Sequence, residues 1–139
     1  MENNRDCIFC KIIEGKIPCN KVYENKDVLA FLDMSPVNRG HVLIVPKKHS
    51  ETLLDTDEQV LCKIIKATKK ISNGVMKAVN ANGINIIVNN FKAAGQIVPH
   101  MHMHIVPRFS SDGFTYTEPK KKFSESEMQK VAENIRKAL

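Results

Sequence analysis

Three of the chain's five histidines fall within five residues, as His100-Met-His-Met-His104, followed by Ile105-Val106. On an extended strand successive side chains point to opposite faces. His100, His102 and His104 then share one face, and Met101, Met103 and Ile105 the other. The apolar set can enter a core while the imidazoles, roughly 7 Å apart along the strand, face a cleft or solvent. Such a row has three readings. It is a polar strand face without chemistry, for which alternating His and Met is a poor composition. It is a metal chelate, since His-x-His pairs serve many zinc sites, although no Asp or Glu occurs between Glu58 and Asp112 to join it. Or one neutral imidazole is a nucleophile near pH 7, with the others orienting it and handling protons.

The neighbouring residues favour the nucleophile. Gly95-Gln96 supplies flexible backbone and an amide suited to approaching phosphate, and the Asn89 side chain is placed to orient a phosphate oxygen. A phosphorus–nitrogen bond on imidazole is labile enough for water to break, so one displacement is split into two easier ones. A second constellation is Cys7-x-x-Cys10. In a reducing compartment this pair reads as metal ligands or a redox pair rather than a structural bridge. Of the four cysteines, Cys62 lies in an apolar helical pattern and is expected to pack, while Cys19 is ambiguous.

The elements that must carry these residues are legible in outline. Residues 7–14 read as a short helix stopped by Gly15, with Pro18 preventing its resumption. Lys21–Glu24 and Val28–Leu32 read as strands joined by the turn Asn25-Lys26-Asp27. Ser35–Gly40 is a loop, and His41–Pro46 an apolar strand. Thr56-x-x-Gln59 has the form of a capping box, followed by apolar Val60, Ile64, Ile71, Val75 and Val79 with Leu61 and Ile65 alongside: a helix of about six turns. Gly74 within it costs ~1 kcal/mol in propensity, which suggests a close packing neighbour. Residues 80–83 end the helix. Gly83–Asn89 and Pro99–Pro107 are the last strands, with a glycine-containing loop between them. After a loop over 108–123, Ser124-x-x-Glu127 is a second capping box, opening a helix with the stripe Met128, Val131, Ile135 and Leu139. Early hairpin-like strands and one long helix before the last two strands indicate an α+β fold with a largely antiparallel sheet.

Composition bounds the rest. A chain of 139 residues suits one domain, 1–139, without repeats or an internal boundary. Hydrophobic residues at 42% and charged residues at 26% are ordinary for a soluble protein. No apolar run approaches the roughly 18–20 residues of a membrane span. The polar start, Met1 to Asp6, is followed by no secretory segment, so a cytoplasmic protein is expected. The net charge of +6 suits an anionic partner. The lysines of 47–48, 69–70 and 120–122 occur with only 6% aromatics and no nucleic-acid-binding motif, so they read chiefly as a solvated surface. No P-loop, G-x-G-x-x-G or G-x-S-x-G occurs.

His100-x-His-x-His-Ile-Val106 resembles the histidine triad signature, His-φ-His-φ-His-φ-φ with φ apolar. The likeness extends over about residues 7–109. It takes in Cys7-Ile-Phe-Cys-Lys-Ile-Ile-Glu-Gly-x-Ile-Pro18, Val28-Leu-Ala-Phe-Leu-Asp33, Gly40-His-Val-Leu-Ile-Val-Pro-Lys-Lys-His49 and Gly95-Gln96. Several separated motifs in order are far more specific than the triad alone. The resemblance is to bacterial-type members with an N-terminal cysteine pair. It implies a five-stranded, mainly antiparallel sheet with one long helix on it, N- and C-terminal helices besides, and pairing into a homodimer.

The activity it implies is hydrolysis or transfer at the α-phosphate of nucleoside 5′-phosphate derivatives, phosphoramidates or dinucleoside polyphosphates, with purines favoured. By the same likeness His102 forms a nucleotidyl-histidine intermediate, His104 assists the leaving group, and His41 supports the triad. Asn89 and Gln96 contact phosphate, with Gln96 near the leaving group. Asp33 accepts from the ribose hydroxyls, a task that suits a carboxylate. Ile8, Phe9, Phe31, Leu32 and Met34 form the slot for the base, though ordinary core is nearly as good a reading of those five. Members with the cysteine pair are similar to zinc binders that add His49 and His100. Two Cys and two His leave no open position, so such a zinc is structural. The chain departs from the pattern at Ile97, where a Ser or Thr hydroxyl often follows the Gln. Residues 110–139 carry only packing or dimer contacts. The rival class is a nucleotide-binding regulator or zinc-bound interaction module with little turnover.

Overall fold

The computed structural model describes residues 6–115 and 119–139. The first five residues and residues 116–118 of the expected 108–123 loop lie outside that description. In chain order the elements are α1 (Ile8–Ile13), β1 (Lys21–Glu24), β2 (Val28–Leu32), β3 (Val42–Pro46), α2 (Glu58–Val79), β4 (Gly83–Ile87), β5 (Met103–Arg108) and α3 (Glu125–Ala138), with a 3-10 turn at Lys92–Ala94. The strands form one antiparallel sheet in the order β1-β2-β3-β5-β4. This is the α+β architecture expected from the sequence.

The unbroken apolar runs of β2 and β3 have a direct cause: both faces of the sheet are covered there, so alternation with polar residues is not required. Val28, Ala30, Val42 and Ile44 pack under α2 with Ile64, Ala67, Ile71 and Val75, and Met101, Met103 and Ile105 join them. Leu29, Phe31, Leu43 and Val45 face the other way and pack with Phe9, Ile12, Cys7 and Cys10 of the α1 segment. The Met/His alternation therefore works as expected, with the methionines under α2 and the imidazoles on the α1 side.

Local signals account for the turns. Asn25 Oδ1 accepts from the amides of Asp27 and Val28 at 2.8 and 2.9 Å, closing the β1–β2 hairpin as an Asx turn. α1 ends before Gly15, whose φ of 73° is open to glycine. α2 ends on Asn80 in the left-handed region. Ser124 and Glu127 form the reciprocal capping box that opens α3.

Several details depart from the sequence expectation. The cap of α2 is Asp57, whose carboxylate accepts from Gln59 and Val60; Thr56 instead donates its hydroxyl to the Thr52 carbonyl. Both are good caps, and the one nearer the helix took the position. β4 stops at Ile87, and β5 begins at Met103 rather than Pro99, because the amide of Met101 is drawn to the Ser50 carbonyl at 2.7 Å instead of to a strand. Cys62 and Ile65 are exposed on α2, off the stripe that meets the sheet. A Cβ at Gly74 would meet nothing within 4 Å, so among the described residues no neighbour explains that glycine. The apolar stripe of α3 is exposed.

Candidate active site and metal centre

His100 and His102 precede β5 and His104 lies within it. The end of this segment is a junction between two side-chain clusters. The first contains Cys7, Cys10, His49 and His100, whose ligand atoms all lie within 4.8 Å of one another. Cys7 caps α1 with its sulfur, which accepts from the Cys10 amide, so the short helix sets the spacing of the two sulfurs. Cys7 Sγ is 3.3 Å and Cys10 Sγ 3.6 Å from His100 Nδ1, Cys10 Sγ is 3.4 Å from His49 Nδ1, and the two Nδ1 atoms are 3.2 Å apart.

These separations suit a zinc ion. Tetrahedral coordination at ordinary Zn–S and Zn–N lengths requires donor–donor distances of about 3.3–3.8 Å. His100 Nε2 donates to the Pro46 carbonyl at 2.9 Å, which leaves Nδ1 as the lone-pair nitrogen aimed at the sulfurs. Burial pushes His100 down to about 4, so the ring is neutral and able to ligate near pH 7. The cluster holds four protein donors, the closed count of a structural site.

The second cluster is built from hydrogen bonds that fix tautomers one after another. The backbone amide of Val37 donates to His41 Nδ1 at 3.1 Å, so the proton of that ring is on Nε2. His41 Nε2 then donates to His104 Nδ1 at 2.9 Å, which places the His104 proton on Nε2, the outward nitrogen. Separately, His102 Nδ1 donates to the His100 carbonyl at 2.7 Å, leaving a lone pair on His102 Nε2. One ring thus presents a nucleophilic nitrogen and its neighbour, 5.0 Å away between centroids, an N–H donor. Phe9 stands edge-on to His102 at 5.2 Å and restrains its plane.

Burial lowers the pKa of His102, of His41 and of His104, the last to about 4 with repulsion from the other two rings. All three are neutral at pH 7. Asp33 Oδ2 lies 3.4 Å from His41 Nε2 and 4.0 Å from His104 Nδ1, close enough to stabilise positive charge arising there. Its other oxygen accepts from the Ser35 amide at 2.8 Å.

The remaining expected residues divide. Gln96 ties its own loop to the segment before α2: its oxygen accepts from the Phe91 amide, and its nitrogen donates to the Val98 and Glu51 carbonyls. Asn89 borders the same loop, its Nδ2 3.9 Å from where a Gly95 Cβ would stand. Of the five slot residues, Phe9 and Phe31 are buried edge-to-face at 5.7 Å, while Ile8, Leu32 and Met34 are exposed. Leu32 lines the α2 side of the sheet, across from Phe31, as strand alternation requires. Sequence reasoning missed three backbone groups: the Val37 amide and the carbonyls of Pro46 and His100. Backbone atoms carry no residue-type signal, and only the fold could reveal them.

An α+β fold presenting a histidine row beside a cysteine–histidine cluster defines a class. The HIT domain family model matches residues 14–111, and the chain belongs to that family. Among relatives, a HIT-like protein of Borreliella burgdorferi is 47% identical over 139 residues, covering 94% of this chain and 99% of its own. An adenosine 5′-monophosphoramidase of Schizosaccharomyces pombe is 35% identical over 130 residues, covering 93% and 95%. In solved structures, a Streptococcus mutans protein superposes with a TM-score of 0.93 at 42% identity, covering 98% of this chain and 87% of its own. A zinc-bound histidine triad family protein of Mycobacterium smegmatis gives 0.78 at 30% identity, covering 99% and 100%.

Proposed function

We propose that the protein is a nucleotide hydrolase or transferase that works through a nucleotidyl-histidine intermediate. His102 Nε2 attacks the α-phosphorus of a nucleoside 5′-phosphate derivative, forming a phosphorus–nitrogen bond as the bond to the leaving group breaks. His104 Nε2–H supports the departing group or a phosphate oxygen. Water then cleaves the phosphorus–nitrogen bond and releases the nucleoside monophosphate. The observation that carries this reading is the set of hydrogen bonds to the rings, two along Val37–His41–His104 and a separate one from His102 to the His100 carbonyl, which together imply a lone pair on His102 Nε2 and a proton on His104 Nε2. Activity under the name of the S. pombe relative supports the same reaction class.

In this reading Asp33 steadies the His41–His104 pair and is near enough to serve a ribose, and the base, purine by preference, lies against Ile8 and the Phe9–Phe31 pair. Asn89 and the loop of Gln96 border the phosphates. Ile97 is exposed and supplies no hydroxyl, so the leaving group meets an apolar surface at that position. Cys7, Cys10, His49 and His100 would hold a structural zinc. When bound, the ion would fasten α1 to the sheet behind the triad. The protein is cytoplasmic, where thiols stay reduced, and acts as a homodimer.

The test is His102→Asn, which keeps a polar side chain but removes the nucleophile. Turnover of an adenosine 5′-phosphoramidate should fall by about three or more orders of magnitude while nucleotide binding survives, since loss of a nucleophile acts on chemistry. Unchanged turnover rejects the mechanism. Binding without turnover in the parent protein selects the regulator reading.

A further inference from the structure

The loop between β2 and β3 carries the amide on which the His41 and His104 tautomers depend, yet packing does little to hold it. Met34 is 89% and Val37 46% exposed, and Ser35, Pro36 and Arg39 are exposed as well. Segments with so few buried contacts open easily. The Val37 amide nevertheless meets His41 Nδ1 at 3.1 Å, so something must pin the loop.

The pin is Asn38. Its backbone carbonyl accepts from the His41 amide at 3.1 Å. Its side-chain nitrogen donates to the Pro107 carbonyl at 2.9 Å and to Asp112 Oδ2 at 3.0 Å. Asp112 is itself fixed, with nearly all of its side chain buried. Arg108 Nε and Nη2 donate to its two oxygens at 2.8 and 3.0 Å, and the amides of Phe109 and Phe114 donate at 3.0 Å each. The Arg108 guanidinium, foremost among these, holds the carboxyl well below the usual carboxylate range. Arg108 ends β5 and also donates to Asn85 Oδ1 on β4 at 2.8 Å. Asn38 thus clips the loop to a rigid corner of the sheet. Gly40 closes the other side: a Cβ there would meet Val79 Cγ1 at 2.9 Å, so the chain lies directly against α2.

We propose that Asn38, held by Asp112, is a positioning residue for the triad. Its task is to keep the Val37 N–H on His41 Nδ1. That bond confines the His41 proton to Nε2, and the next one confines the His104 proton to the outward Nε2. Releasing the loop lets His41 carry its proton on Nδ1. His41 Nε2 then offers a lone pair to His104 Nδ1, and the His104 proton turns inward to meet it. The leaving group now faces a lone pair where an N–H had stood, and loses its electrostatic support. Asp112, from a segment expected to carry only packing or dimer contacts, thereby acts on the chemistry.

The inference rests on the mechanism proposed above, and the experiment separates the two. Full-length parent and Asn38→Ala are compared on an adenosine 5′-phosphoramidate of a basic alkylamine and on adenosine 5′-(p-nitrophenyl phosphate). Support from an N–H counts for more the more basic the departing atom. Leaving-group release in a single turnover isolates the first displacement. For the phosphoramidate it should slow about ten-fold or more, and for the p-nitrophenyl ester less than about three-fold, with substrate affinity kept. Equal falls for both substrates, or no fall, overturn the positioning role, because a general loss of structure does not sort substrates by leaving group. Ring-nitrogen NMR is a second readout that needs no turnover. The parent should show His104 protonated on Nε2 alone, and the variant should show the Nδ1 form as well; an unchanged His104 tautomer overturns the inference even where rates fall. A parent that turns over neither substrate removes the mechanism, while the spectra still decide whether Asn38 sets the tautomer. Should Asn38→Ala not fold, Asn38→Ser, polar but too short to reach both partners, is read by the same outcomes.

Discussion

Acid should destabilise this protein through the triad in a way that one substitution removes. His104 is pushed down to about 4 by burial and by the neighbouring His102 and His41 rings, whereas in the unfolded chain an imidazole titrates near 6.5. Between those values the unfolded state binds a proton that the folded state refuses. Stability from this group is therefore complete above about pH 6.5 and is lost as pH falls toward 4. Lowering pH from 7.5 to 5.0 costs about 2 kcal/mol at this residue alone. The three rings share their repulsion, so the part removed by His104→Asn is about 1–2 kcal/mol. The assay is urea denaturation of parent and variant at both pH values. The parent should lose about 1–2 kcal/mol more than the variant on acidification, and comparing the two losses cancels the contribution of the Cys/His cluster. Equal losses would refute the buried, neutral His41–His104 pair.

Two further outcomes follow from other parts of the structure. Cys7→Ser or Cys10→Ser should lower zinc content and thermal midpoint together, because the four donors converge within 4.8 Å; equal zinc by elemental analysis in variant and parent removes the metal site. Asp57→Ala should cost about 1 kcal/mol in denaturation by leaving the Gln59 and Val60 amides uncapped, and a loss below a few tenths would remove Asp57 as the cap.

The sheet and its long helix were legible because their signals are periodic and redundant: Ile64, Ile71 and Val75 recur at helical spacing, and β2 and β3 are too apolar to be anything but interior. The histidine row was legible for the same reason, as alternation with Met101 and Met103 separates two faces. Where several residues competed for one role, the sequence misplaced it. Thr56 and Asp57 both cap well, and Cys62 sits in an apolar pattern on a helix whose buried stripe passes it by. The cluster of Cys7, Cys10, His49 and His100 came from resemblance, since nothing in the letters brings residue 49 to residue 7; the paired strands and α1 do that. The tautomers of His41 and His104 were beyond sequence reading, because they begin at the Val37 amide.

The account depends most on a covalent bond at His102. Rapid mixing of the protein with an adenosine 5′-phosphoramidate and, separately, a diadenosine polyphosphate, quenched within milliseconds and read by intact mass, tests it directly. An acid-labile adenylyl adduct on the parent chain, absent from His102→Asn, is the result expected. Release of AMP by the parent with no adduct at any quench time, or an adduct that persists in His102→Asn, would contradict it.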